Sequence, residues 1–315
     1  MGRVYDAELA LPMTLNPRSV PPIAVSIKPV RHQHDCLNAV ADSLEAAGYR
    51  VRRTFDLQPP EKIVILWAWG RAMTLREKHP DAIIYTMDHA FMPNRAKGVW
   101  QGGWSTPDKE CGLNGWGEHA VVDDAGVRLR TMGWDTFLKP RRVPCNSDVL
   151  FCGQVFGDAQ IRGKVADYGE WCRETIKSYA GEGRKTYFRP HPVMVRRGTV
   201  AEYGNVGRIS TEQSLESALE RVGYCAGFNS NAVAQAWMAG VESTVFSEGS
   251  MLWPVVREPG KWADWSYRQR WMNYLAWTQW TTDELRNGTW LAYHAPILHR
   301  LVAGDKSRPW HEVVL

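Results

Sequence analysis

The stretch that decides the fold is Tyr224-Cys225-Ala226-Gly227-Phe228-Asn229-Ser230-Asn231, with the run Ala232 to Ala239 directly behind it. A short, mostly apolar segment from Val222 to Phe228 meets the polar turn Asn229-Ser230-Asn231. The Ala-rich run that follows has good helix propensity, and Gly240 stands where a closing glycine belongs. The pattern predicts strand, turn and helix. Such a turn presents backbone N–H groups at a helix N-terminus beside Ser and Asn side chains, which suits an anion or a sugar hydroxyl. An ordinary capped helix in an α/β domain accounts for the same residues without a ligand.

Two neighbouring segments have the same form. Upstream, Tyr187-Phe188-Arg189-Pro190-His191-Pro192 starts as a strand, passes through an Arg, and holds a His between prolines. Downstream, the β-prone run Thr244-Val245-Phe246 leads into Ser247-Glu248-Gly249-Ser250-Met251. Three strand ends in succession deliver polar groups to one edge of a parallel sheet, where ligands of open α/β sheets bind.

Working back to the N-terminus, the first 21 residues are irregular and Pro-bearing. Ile23 to Ile27 reads as a strand, His34 to Ala47 as a helix stopped by Gly48, and Tyr49 to Thr54 and Ile63 to Trp67 as strands. Arg71 to Lys78 is predicted helical, and Ile83 to Thr86 a strand running into Met87-Asp88-His89. This alternation predicts a parallel sheet with crossover helices. Asp88 then sits at a strand's C-terminal end, placed to act as a general base with His89 beside it. A turn with a solvated His reads the same pair without chemistry.

Val99 to His119, with Gly112-Leu113-Asn114-Gly115 inside it, is too Gly-rich for a helix and is expected to be an ordered loop or a cover. Lys139-Pro140-Arg141-Arg142-Val143-Pro144 reads as a linker. Val149 to Cys152 opens a second α/β unit that ends in Gly153-Gln154-Val155-Phe156-Gly157-Asp158. Neither a dinucleotide fingerprint nor a P-loop is present. Asp167 to Tyr179 is expected to be a helix, and Ser210 with Gln213 to cap the next one. Residues 262–303 read as largely helical and aromatic.

At 315 residues the chain has room for two domains: 1–148, 149–261, and a C-terminal helical segment, 262–315, packing back across both. No apolar run approaches the length of a membrane span and no signal peptide is evident, so a cytoplasmic protein that does not bind membranes is expected. The six cysteines show no metal-ligand spacing and read as reduced thiols. The net charge of +4 is divided equally between the halves. That balance permits nucleic-acid binding without arguing for it.

With those residues in view, the chain resembles GT-B-type glycosyltransferases, and within them a group of phage-encoded, DNA-modifying enzymes. The resemblance runs through Gly112-Leu113-Asn114-Gly115, Gly153-Gln154 with Gly157-Asp158, Arg189-Pro190-His191-Pro192, Asn229-Ser230-Asn231, Glu248-Gly249-Ser250-Met251 and Trp277-Thr278-Gln279-Trp280-Thr281. It spans roughly residues 85–290. Arg-Pro-His-Pro and Asn-Ser-Asn are also similar to elements of capsule-polysaccharide transferases.

The resemblance implies an α/β protein of GT-B-like form, in which two Rossmann-like domains with parallel sheets face each other across a cleft. The first would hold the acceptor and the second a nucleotide-sugar, UDP-glucose being the expected donor. Carried over, Arg189 and His191 would contact the diphosphate, Ser230 and Asn231 a phosphate or ribose. Glu248 would take a ribose or sugar hydroxyl with Ser250 beside it, and Gln154 would sit by the donor. Asp88 would remove the acceptor's proton. No DxD metal motif is present and no metal is expected, so leaving-group charge would fall to Arg189, His191 and helix N-termini. The expected acceptor is 5-hydroxymethylcytosine in double-stranded phage DNA, with Arg50, Arg52, Arg53, Lys139, Arg141 and Arg142 on the phosphates. A cell-surface saccharide transferase, or a non-catalytic nucleotide- or DNA-binding protein of the same fold, stands as the alternative.

Overall fold

In a computed structural model the described residues are 16–55, 61–90, 99–105, 126–144, 146–158, 160–180, 184–247, 250–256 and 264–304. The chain begins with β1 (Ile23–Ser26), α1 (Arg31–Ala46), β2 (Val51–Thr54), β3 (Ile63–Trp67), α2 (Trp69–Lys78) and β4 (Ile83–His89). The strands carry alternating apolar residues to both faces. Ile23, Val25, Ile63, Ile65, Ile83 and Tyr85 pack under α1, whereas Val64, Leu66 and Ile84 pack under α2 through Ala72 and Leu75. β1 to β4 pair parallel, with β1 between β2 and β3.

The Gly- and Trp-rich stretch is not all loop. Val99–Ser105 forms β5, antiparallel to β4, with Asp88 opposite Gln101. Gly102 is needed for packing: a Cβ there would lie 2.6 Å from the Tyr85 ring. Trp104 is buried edge-on to that ring at 4.8 Å. Glycine content rules out a helix but does not reveal a strand whose partner lies about fifteen residues away. Residues 106–125, including Gly112 to Gly115, lie outside the described residues.

After α3 (Val127–Thr131) come β6 (Val149–Cys152), α4 (Tyr168–Tyr179), β7 (Thr186–Arg189), α5 (Pro192–Arg197), β8 (Arg208–Ile209), α6 (Leu215–Glu220), β9 (Tyr224–Gly227), α7 (Asn231–Met238) and β10 (Glu242–Val245). They form a fully parallel sheet in the order β10-β9-β6-β7-β8. Asp167 caps α4 by accepting the Glu170 N–H, and Gly240 has the expected left-handed backbone at φ 83°. The predicted cap of α6 is corrected. Ser214, not Ser210, accepts the Ser217 N–H at 3.0 Å. The helix begins later because the Glu212 and Gln213 carbonyls are engaged by the Arg189 guanidinium.

The tail runs through α8 (Trp253–Val256) and α9 (Trp265–Ala276), which pack with α7 and with Leu129, Trp134 and Leu138 in the second domain's core. It then crosses back. β11 (Gln279–Thr281) adds to β5, and α10 (Thr282–Asn287) and α11 (Thr289–Val302) cover the first sheet. A clasp holds the crossing. Arg128, 1% exposed, donates to the Ala276 carbonyl at 2.7 Å, to the Gln279 carbonyl, and to Glu284 at 2.7 and 3.2 Å. Its guanidinium lies over the faces of Trp277 and Trp280. Among the described residues no helix is long and apolar enough to cross a membrane.

Candidate active site

Each sheet has a topological switch point, where helices leave adjacent strands toward opposite faces and open a crevice at the strands' carboxyl ends. In the first sheet it falls between β1 and β3. In the second it falls between β6, followed by α4, and β9, followed by α7. Both sheets turn carboxyl ends toward one cleft of about 600 Å³. Ala68, Gly70, Asp88 and His89 line it from the first domain. Gly153, Gln154, Asp158, Gln160, Arg189, His191, Asn229, Ser230 and Asn231 line it from the second. The structure thus brings together seven predicted site residues that span 144 positions of sequence from Asp88 to Asn231.

On the second domain's wall, Ser230 caps α7, its Oγ accepting the Ala232 N–H at 3.2 Å. The hydroxyl proton remains available to donate. Asn229 donates to Gln160 Oε1 at 3.1 Å, which shapes the turn before the helix. His191 caps α5, Nδ1 accepting the Val193 N–H at 3.1 Å. That contact assigns the neutral tautomer with its proton on Nε2, a hydrogen-bond donor on a residue lining the cleft. Arg189 is anchored by the carbonyls of Glu212 at 2.9 Å and Gln213 at 3.4 Å. Among the described residues no carboxylate pairs with it. An anchored guanidinium without a counter-ion, beside a helix N-terminus, is suited to an anionic ligand.

Gln154 is 5% exposed, and its Oε1 has no hydrogen-bond partner among the described residues. A buried acceptor left unpaired is costly, and a ligand hydroxyl or N–H would relieve it. Gly153 beside it has to be glycine, since a Cβ would lie 2.7 Å from the Phe188 ring.

A positioning residue, Tyr203, gave no sign in the sequence. It is wholly buried, and its hydroxyl donates to the Gln154 carbonyl at 2.7 Å. Burial pushes the phenol pKa well up, opposed by the His191 backbone N–H that bonds to the same oxygen. One phenol therefore ties together the two loops that carry Gln154 and His191.

On the first domain's wall, Asp88 is half-buried and its Oδ1 accepts the His89 N–H at 2.7 Å. His89 is exposed and meets Trp67 edge-on, ring centroids 5.1 Å apart. Ala68 is the one non-glycine residue with positive φ among the described residues, at φ 70° and ψ 135°. Such strain gathers at functional sites.

One predicted residue stands elsewhere. Ser250 is buried in a turn, its Oγ accepting the Leu252 N–H at 3.3 Å, and is not part of the cleft lining. Glu248 lies outside the described residues. Most of the basic side chains proposed for DNA phosphates are engaged within the protein. Arg53 bonds Asn38, Asp42 and Glu45; Arg52 bonds Glu61; Arg50 bonds the Val20 carbonyl. Arg141 pairs with Glu242, and Arg142 donates to the Leu219 and Val222 carbonyls. Among the described residues no cluster of three His, Cys, Asp or Glu is arranged to hold a metal ion.

Two domains joined by a crossing C-terminal segment, with sheet ends facing one cleft, define a GT-B-like architecture. Comparison with solved structures agrees. The β-Kdo 2,7 transferase KpsC of Thermosulfurimonas dismutans superposes with a TM-score of 0.52 at 11% identity, over 85% of this chain and 99% of that one. The β-Kdo 2,4 transferase KpsC of the same organism gives 0.47 at 14% identity, over 81% and 89%. At these identities the likeness is one of fold. The sequence matches no family model, and no curated protein matches it significantly.

Proposed function

We propose that the chain is a glycosyltransferase that moves a sugar from a nucleotide donor to a hydroxyl of a saccharide acceptor. The observation that carries this reading is the cleft itself. A carboxylate on one wall, Asp88, faces a wall of anion- and hydroxyl-binding groups on the other, namely Gln154, Arg189, His191, Ser230 and Asn231. The structural neighbour with the higher TM-score is a Kdo transferase, which favours a saccharide acceptor over DNA. The internal engagement of Arg50, Arg52, Arg53, Arg141 and Arg142 supports the same choice, since phosphate contacts dominate DNA affinity.

In this reading the donor's phosphate lies at the N-terminus of α7, with Arg189 and the His191 Nε2–H against its oxygens. Gln154 Oε1 accepts from a donor hydroxyl or N–H. The acceptor hydroxyl is held at Asp88, which takes its proton as the oxygen bonds to the anomeric carbon and the bond from that carbon to the phosphate oxygen breaks. Charge developing on the departing phosphate meets Arg189, His191 and the helix end. UDP-glucose is the first donor to try.

The test is a transfer assay with a panel of nucleotide-sugars. It is run against oligosaccharide acceptors and against duplex DNA containing 5-hydroxymethylcytosine, with products read by mass. A sugar mass gained by an oligosaccharide is the expected result. A gain on the DNA alone would restore the DNA-modifying reading, and neither transfer nor donor binding would overturn the glycosyltransferase reading.

A further inference from the structure

The first domain's switch point holds an arginine that no carboxylate among the described residues neutralises. Arg71 lies in the first turn of α2, and its Nη2 donates to the Oγ of Ser26, the last residue of β1, at 2.8 Å. Ser26 is 1% exposed. The remaining guanidinium nitrogens, Nε and Nη1, are shielded from solvent and have no hydrogen-bond partner among the described residues. Among the described residues no carboxylate pairs with Arg71, and desolvation alone lowers its pKa.

The first turn of a helix also disfavours a cation, because the N–H groups there carry partial positive charge. A half-buried guanidinium with idle donors at a positive helix end is a costly arrangement. An oxyanion entering the crevice between β1 and β3 would remove each of those costs. Arg71 and Ser26 do not themselves line the cleft, but Ala68 and Gly70, close before Arg71 in the chain, line its wall together with Asp88.

We propose that Arg71, with Ser26, receives a carboxylate or phosphate of the acceptor, so that the acceptor is an acidic saccharide. The identity of this anion as part of an acceptor rests on the transferase reading above; the anion site itself does not. In the free protein the guanidinium rests on Ser26. Its fork then turns to the acceptor's anion and sets the distance from that anion to the hydroxyl at Asp88.

The experiment measures the melting temperature of the full chain in inorganic phosphate against sodium chloride at matched ionic strength. Arg189→Met serves as the background, so that phosphate at the donor wall does not contribute. Phosphate at ten times its dissociation constant should raise the melting temperature by about 3 °C. Adding Arg71→Met should abolish the rise. The same rise in the double variant, or none in Arg189→Met, overturns the anion site. Should Arg71→Met not fold, Arg71→Lys keeps the charge without the fork and should move the phosphate midpoint up several-fold; an unchanged midpoint overturns the proposal. Where transfer is found, wild type should show a lower KM for a glucuronate-terminated than for a glucose-terminated acceptor, and Arg71→Met should lose that preference. A preference unchanged in the variant overturns the acceptor assignment. A phosphate response that depends on Arg71, without transfer to any acceptor, would leave the anion site standing and remove the transferase reading.

Discussion

The two switch points have the same topology and opposite states of completion. In the second domain the polar groups are braced: carbonyls hold Arg189, a helix N–H fixes the His191 tautomer, and Tyr203 locks both loops. In the first domain Ala68 is strained and, among the described residues, Arg71 hydrogen-bonds only to Ser26. The braced wall is organised before any ligand arrives, which lowers the cost of binding. The unbraced wall keeps its polar groups unsatisfied, and so depends on what it receives. That difference suits a protein with one well-defined donor and a second substrate that completes the site.

The comparison is sharpest between arginines. Arg128 in the clasp is buried and fully engaged by Glu284, two carbonyls and two indoles, whereas Arg71 has two idle nitrogens. Arg128→Met should therefore destabilise the protein by about 4 kcal/mol, because it strands Glu284 in a desolvated place. Arg71→Met in chloride buffer should leave stability unchanged or raise it. Denaturant titration of both variants checks the contrast, and equal losses would erase it.

The clasp also has a pH signature. Burial pushes the Glu284 carboxyl up, but bonding and charge from Arg128, with the Thr281 contacts, bring it below its ordinary 4.5. A depressed folded value means the stabilisation is complete above the unfolded value. It is lost as pH falls from about 4.5 through the folded value. Urea titrations between pH 7 and 3 should show a steeper loss in wild type than in Arg128→Met, which keeps only the contributions of other lowered carboxyls such as Glu61 and Asp264.

Asp88→Asn comes next in scale. It should lower kcat about 10³-fold, as expected for loss of a general base, with donor affinity kept within twofold by calorimetry. A parallel loss of donor affinity would mean that Asp88 belongs to the donor side and would break the division between walls. Tyr203→Phe retains the ring packed against Phe156, Tyr168 and Phe188 but removes both hydrogen bonds. It should cost about 2 kcal/mol in donor binding, with acceptor KM unchanged. An effect on stability alone would make Tyr203 a packing residue. The smallest effect is expected at Ala68→Gly, which relieves a backbone that only glycine adopts without strain. It should raise stability by about 1 kcal/mol and lower transfer if the strain aims Asp88's wall.

Much of this was legible in the residues. Asn229-Ser230-Asn231 before an Ala-rich run, Arg189 ahead of Pro190-His191-Pro192, and Asp88 after an apolar strand each placed a polar group at a strand's carboxyl end. Strand alternation and helix stops are local, so β1, β3, β4, β6, β7 and α4 could be read from neighbours a few residues apart. The features missed share a different property. β5 is a strand because of Tyr85 and Trp280, Arg128 finds Glu284 across 156 residues, and Tyr203 reaches Gln154 across 49. Nothing near these residues in sequence announces their partners.

By itself, then, the order of residues determined the two α/β units, their strand ends and the polar groups placed there, because hydrophobic periodicity and capping act over a turn of helix or a pair of strand positions. Which of those groups share a cleft, which are braced and which are left unsatisfied was decided only by the tertiary structure. Burial, hydrogen-bond completion and counter-ion pairing depend on segments brought together across distances from 23 residues, for Arg189 and Glu212, to 156, for Arg128 and Glu284.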